Sequence, residues 1–84
     1  MLRIWGDFNH LDLEYRVRLD TRGSLADIRR LRSEINEGMH IIIDDGDLQA
    51  EGVLEFAGGI WRARILWKNA KDKTDGSFRG MREV

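Results

Sequence analysis

Residues 39–67 read MHIIIDDGDLQAEGVLEFAGGIWRARILW, and this stretch decides the fold. Two glycine-bearing turns cut it into three apolar segments. Asp45-Gly46 between apolar runs is a strong hairpin signal, because a type I′ turn requires positive φ at both central residues. That turn sets Ile43 opposite Leu48, Ile41 opposite Ala50 and Met39 opposite Gly52. Gly58-Gly59 supplies the second turn and sets Phe56 opposite Trp61, Leu54 opposite Ala63 and Gly52 opposite Ile65. Side chains alternate along a strand, so both turns independently place Ala50, Gly52, Leu54 and Phe56 on one face. A one-residue slip in either hairpin breaks that agreement. On the other face Glu55 meets Arg62, an opposite-charge cross-strand pair contributing roughly 0.2–1 kcal/mol. The spacing predicts strands over 39–43, 48–56 and 60–67.

Outward from this meander the pattern continues. Leu13, Tyr15, Val17 and Leu19 alternate with Glu14, Arg16, Arg18 and Asp20, which predicts a half-buried strand over 13–19. Residues 2–8 read as another strand. A hairpin between the two is expected, but either turn length sets Arg3 against another arginine. Its register therefore stays open, as does direct pairing at all. Ser24-Leu25-Ala26-Asp27 resembles a capping box. Leu25, Ile28, Leu31 and Ile35 form an apolar stripe, and Gly38 is the expected stop, so a helix is predicted over 24–37. Glu34 and Glu37 oppose the dipole at its C-terminal end, leaving the stripe to hold it.

The element order is β-β-α-β-β-β, a single α+β domain over residues 1–68. Residues 69–84 are charged and without period, which predicts a flexible tail. Two architectures fit this order. One is a small SH3-like barrel, and the other a strongly bent antiparallel sheet with the helix packed on it. Gly6 and Gly52 on inward faces permit sharp coiling and favour the barrel.

The second hairpin, from Glu55-Phe56-Ala57-Gly58-Gly59-Ile60 through Trp61-Arg62-Ala63-Arg64-Ile65, resembles the central hairpin of Tudor-type SH3-like domains. Those carry a short Gly-containing turn, an aromatic residue, and then a basic-Ala-x-aliphatic strand. The resemblance covers this hairpin alone, and the helix before the meander departs from the family. The acidic residue and flanking aromatics of a methyl-ligand cage have no counterparts at matching positions. The resemblance implies barrel geometry and, at most, a binding module.

The chain has 84 residues, no cysteine and no apolar run near the length of a membrane span. A cytoplasmic, soluble protein without membrane contact is expected. Charged residues make up 35% of the chain, yet the net charge is −1, so global charge predicts no attraction to nucleic acid. Locally, Arg16, Arg18, Arg22, Arg29, Arg30 and Arg32 crowd one segment.

No constellation of catalytic residues emerges. His10 lies in a loop. His40 opposite Glu51 reads as a surface polar pair, and Ser24 serves as a cap. The turn Asp44-Asp45-Gly46-Asp47 lacks the ligand spacing of a calcium loop, and its aspartates suit turn chemistry. No catalytic, metal-binding or cofactor-binding residue is assigned, and no cofactor is expected.

Tyr15, Phe56, Trp61 and Trp67 are expected in the core, with Trp67 near a barrel mouth as the alternative. Trp5 is expected to face outward with Arg3, near Arg16 and Arg18. These four residues form the candidate ligand surface, since an exposed Trp among arginines can stack on bases or hold a cation. Ile42, Val53 and Leu66 form a candidate partner surface on the outer face of the meander. The expected function is a non-catalytic binding or regulatory module with a protein partner. RNA or single-stranded DNA binding through the Trp/Arg surface is the alternative, as is a structural protein that self-associates, with a homodimer as its simplest form.

Overall fold

The structure is a computed structural model and describes residues 1–72. Its strands are β1 (Arg3–Trp5), β2 (Val17–Arg18), β3 (His40–Asp44), β4 (Leu48–Ala57), β5 (Ile60–Ile65) and the two-residue β6 (Lys71–Asp72), and its helix is α1 (Arg22–Leu31). The first five strands form one sheet in the order β1-β3-β4-β5-β2, curled into a half-barrel, and β6 pairs with β4 off this path. The domain is α+β in the expected order.

The meander has the predicted faces. In β4–β5 Gly52 pairs with Ile65, Leu54 with Ala63, Glu55 with Arg62 and Phe56 with Trp61, the register set by Gly58-Gly59. Both glycines have positive φ. In β3–β4 the register differs by two residues from the type I′ expectation: Ile43 pairs with Ala50 and Ile41 with Gly52. Asp45 N–H donates to the Leu48 carbonyl, and the Asp45 carboxylate accepts from the Asp47 and Leu48 N–H groups. These side-chain bonds favour a wider loop over the two-residue turn. A shift of two leaves every facing unchanged, because the side-chain period is two.

The N-terminal strands do not form a hairpin. β1 pairs with β3 in parallel, Arg3 beside Ile42 and Trp5 beside Asp44, whereas β2 pairs antiparallel with β5 at the other end of the sheet. The sheet is therefore mixed rather than antiparallel throughout. Separating the two strands removes the arginine–arginine pairing that a hairpin would have imposed. The chain passes between them through the curl: a Cβ on Gly6 would lie 2.6 Å from Ile43 Cγ2 and 3.3 Å from Val17 Cγ1. The core inside the curl comprises Ile4, Phe8, Val17, Leu19, Leu31, Ile35, Ile41, Ile43, Leu48, Ala50, Leu54, Ala63, Ile65 and Ala70.

Helix α1 starts earlier and stops sooner than 24–37. Its N-cap is Thr21, whose hydroxyl accepts from Ser24 N–H, and its last turn carries Arg29 and Arg30. It ends before Glu34 and Glu37, so neither belongs to its last turn, which the two arginines occupy. Ile35 still reaches the core from the turn that follows. Gly38, at φ +85°, is part of that turn and donates its N–H to the Leu54 carbonyl.

Ser24 and Asp27, which the sequence presents as a capping box, instead join the helix to the sheet. Gly6 N–H and the Leu2 carbonyl bond to β3, so the Trp5 N–H and carbonyl point to the open side of β1. Asp27 Oδ2 accepts from Trp5 N–H at 2.8 Å, and Ser24 Oγ donates to the Trp5 carbonyl at 2.6 Å. One residue's exposed edge groups are thus satisfied by side chains one helical turn apart. The far edge of β2 is covered likewise, by His10, whose carbonyl accepts from Arg18 N–H, and by Leu11, bridged to Val17. Part of the segment assigned to the tail belongs to the fold: Trp67–Asn69 is a 3-10 turn, Ala70 is buried, and Lys71–Asp72 is β6. Residues 73–84 of the expected tail lie outside the described residues.

Ser24 is fully buried. Ser24→Ala leaves the Trp5 carbonyl unsatisfied and is expected to cost about 1–3 kcal/mol. In urea denaturation the midpoint should fall with the slope unchanged, and hydrogen exchange at the Trp5 amide should quicken in Asp27→Ala.

Candidate functional site

The structure divides the four residues of the candidate ligand surface. Trp5 and Arg3 lie on β1, whereas Arg16 and Arg18 lie at the other end of the sheet with three strands between. Trp5 is 39% exposed, and one face of its ring covers Gly23, where a Cβ would come within 3.2 Å. A groove of about 300 Å³ beside it is lined by Arg3, Arg30, Asp27, Asp44 and Gly46. Arg3 is held by Asp44 and Gln49, and Arg30 by Asp27. Arg18 bonds to Asp20, which also meets the His10 ring.

Ile42, Val53 and Leu66 are all half-buried on the outer face, but charges interrupt them. Glu51 pairs with Ile42 and accepts the Leu66 N–H at its carbonyl, so it separates those two residues. Val53 lies between His40 and Arg64. His40 meets Glu51 as a diagonal neighbour on this face. Among the described residues no group of three or more His, Asp or Glu side chains could hold a metal ion.

The feature that sequence reasoning missed is the loop before β2. Asp12 is the hub of residues 12–16, and its side chain is 9% exposed. Oδ1 accepts from the N–H groups of Glu14 (2.8 Å) and Arg16 (3.0 Å); Oδ2 accepts from Arg16 Nε (2.8 Å) and Arg62 Nη1 (3.0 Å). Tyr15 N–H returns to the Asp12 carbonyl, and Asp12 N–H donates to that of Arg16. Burial pushes the Asp12 carboxyl up, but the Arg16 and Glu14 N–H groups and the two guanidiniums outweigh it. The result is a pKa well below the usual carboxylate range.

The network extends outward. Arg16 and Arg64 both bond to Glu55, and Arg64 reaches Glu14. Arg64 and then Arg16 lower the pKa of Glu55. Arg62 Nε donates to the Ala57 carbonyl, and its guanidinium lies against Gly58, where a Cβ would sit 2.7 Å from Nη2. Three guanidiniums meet three carboxylates, Asp12, Glu14 and Glu55. This ensemble is close to neutral and holds no spare arginine for a phosphate.

The clamp fixes a loop that projects two apolar side chains into water. Leu13 is 100% exposed and Tyr15 73% exposed, and Tyr15 has φ +63°. That backbone region costs a non-glycine residue roughly 1–2 kcal/mol. The core assignment of Tyr15 is thereby corrected: it lies in a loop, outside the strand whose alternation pointed it inward. Phe56 and Trp67 are likewise more exposed than expected. Phe56 follows Leu54 on the inner face but lies near the end of β4, against Trp61, while Trp67 sits in the 3-10 turn against Phe8. The signal for the loop was Asp12, a residue that readily bonds backbone N–H groups two positions on. The alternation through Leu13 and Tyr15 masked it. An open groove of about 340 Å³ lies at the foot of the loop, lined by Leu13, Arg16, Gly58 and Arg62 among others.

Comparison with protein-family models, curated proteins and solved structures returns no match. No helix among the described residues is long and apolar enough to cross a membrane.

A carboxyl whose pKa is lowered by folding contributes stability that is full above its unfolded value, near 4, and is lost as pH falls below it. Stability is therefore expected to drop between about pH 5 and pH 2. Asp12→Asn should flatten that dependence in urea unfolding followed across the range, leaving the part due to Asp20 and Glu55. Tyr15→Gly relieves the backbone strain and is expected to stabilise by about 0.5–1 kcal/mol after the entropy cost of glycine, whereas Tyr15→Ala should not. Thermal melts of the pair check this.

Proposed function

We propose that the protein is a non-catalytic binding module that engages a protein partner through Leu13 and Tyr15. The observation that carries this reading is Tyr15 at φ +63°, exposed beside a fully exposed Leu13, on a loop held by a buried carboxylate. Nothing in the stability of the domain calls for these two side chains. A strained backbone kept by its surroundings points to use of the side chains it aims. A fixed loop also loses little freedom on binding, so two rigid apolar contacts convert efficiently into affinity. Tyrosine suits such a contact, with a large ring and one polar end.

The mode of binding follows from the edges. With Trp5 held by Ser24 and Asp27, and Arg18 by His10, a partner has little free backbone to extend as an added strand at those positions. Side-chain docking is the mode this favours. The curled half-barrel is compatible with the SH3-like class that the second hairpin resembles, and that class supports a binding role. Matched arginines around Asp12 weigh against nucleic acid at this place.

The test is affinity capture by the wild-type chain and by the double variant Leu13→Ser, Tyr15→Ser, with an oligo(dT) titration at low salt alongside. Both positions are exposed, so the fold should change by less than about 0.5 kcal/mol. Proteins retained by the wild type and lost by the variant are expected. Identical retention by the two, or oligonucleotide binding that the variant abolishes, contradicts the reading.

A further inference from the structure

The solvent side of α1 breaks the charge matching of the other described arginines. Arg3, Arg16, Arg18, Arg30, Arg62 and Arg64 each hold a carboxylate. Arg22, Arg29 and Arg32 are exposed, and their side chains form no ion pair or hydrogen bond with any other described residue. Helical spacing puts positions 22, 25, 29 and 32 within about 80° of arc, along roughly 15 Å of helix. Leu25, 45% exposed, lies within this stripe.

The stripe is poorly explained by the stability of the helix. Arg22 stands at the N-terminal end, where the dipole disfavours a cation, and the first turn has no acidic residue. Arg29 gains from the dipole at the other end. Like charges on one stripe still repel, and no glutamate stands one turn away to offset them. An arrangement that costs stability and leaves three guanidiniums unmatched in a chain of net charge −1 calls for an external anion.

We propose that this stripe docks an acidic, amphipathic segment of a protein partner. Its carboxylates would meet Arg22, Arg29 and Arg32, and an apolar side chain would cover Leu25. The stripe is short, it contains a leucine, and the rest of the molecule carries an acidic excess. Together these favour a peptide of limited charge over a long polyanion. The site uses no residue of the Asp12 loop, so its failure leaves that reading untouched.

Fluorescence anisotropy tests it with three labelled probes: a peptide of alternating Glu and Leu clusters, the same peptide with Gln for Glu, and oligo(dT). The wild type is expected to bind the acidic peptide and not the neutral one, and about 1 M salt, where the screening length is roughly 3 Å, should abolish binding. Arg22→Glu with Arg29→Glu should weaken it by about tenfold or more, and Arg22→Lys with Arg29→Lys should retain most of it. The charge reversal should leave the melting temperature nearly unchanged, since the carboxylate that Arg22→Glu puts at the positive end of the helix offsets the one that Arg29→Glu puts in its last turn. Absence of binding, binding undiminished by the reversal, equal binding of the neutral peptide, or tighter binding of oligo(dT) each overturns the proposal.

Discussion

The Trp5 peptide groups are the point on which the architecture turns. β1 is three residues long and an edge strand, and a strand so short gains little from its pairing with β3 alone. Ser24 and Asp27 satisfy the Trp5 groups on its other side and fix where α1 sits. The helix in turn brings Leu31, and with the following turn Ile35, over the core. Without that junction the N-terminal edge is open and the helix is held by its apolar stripe alone. The same junction keeps β1 from serving as a template for a neighbouring chain.

Asp12 has a comparable role on the opposite side. Its four accepted hydrogen bonds close the loop that leads into β2 and, through Arg62, tie it to the second hairpin. Gly58 enters this arrangement twice, once for its positive φ and once because a Cβ would displace the Arg62 guanidinium. The result is a surface rich in charged groups but close to neutral, from which only apolar groups stand out. The unmatched arginines of α1 are conspicuous because the other arginines among the described residues each hold a carboxylate.

Much of the fold was legible because local rules agreed. Gly58-Gly59 fixed a register that alternation confirmed, and the β3–β4 hairpin kept its faces despite a wider loop. Legibility failed where a side chain bonded to backbone far away in sequence. Ser24 and Asp27 satisfied a local capping pattern while serving β1, and Asp12 closed a loop inside what looked like a continuous alternation. The parallel pairing of β1 with β3 left no short-range trace either, since nothing near Arg3 encodes its distance from Ile42. Of the candidate ligand surface, alternation was enough to turn Trp5 outward with Arg3. It carried no sign that Arg16 and Arg18 stand at the far end of the sheet.

The course of the N-terminal segment has a consequence for assembly. Residues 3–18 touch both ends of the sheet, β1 at one and β2 at the other, passing through the curl at Gly6 and Phe8. The meander between those ends is made of neighbours in sequence and closes its loops cheaply. Residues 3–18 precede in the chain the strands they pair with, so β1 has no template until β3 exists and β2 none until β5 does. This segment is made before the meander but can pair only after it, like a belt buckled once the garment is on.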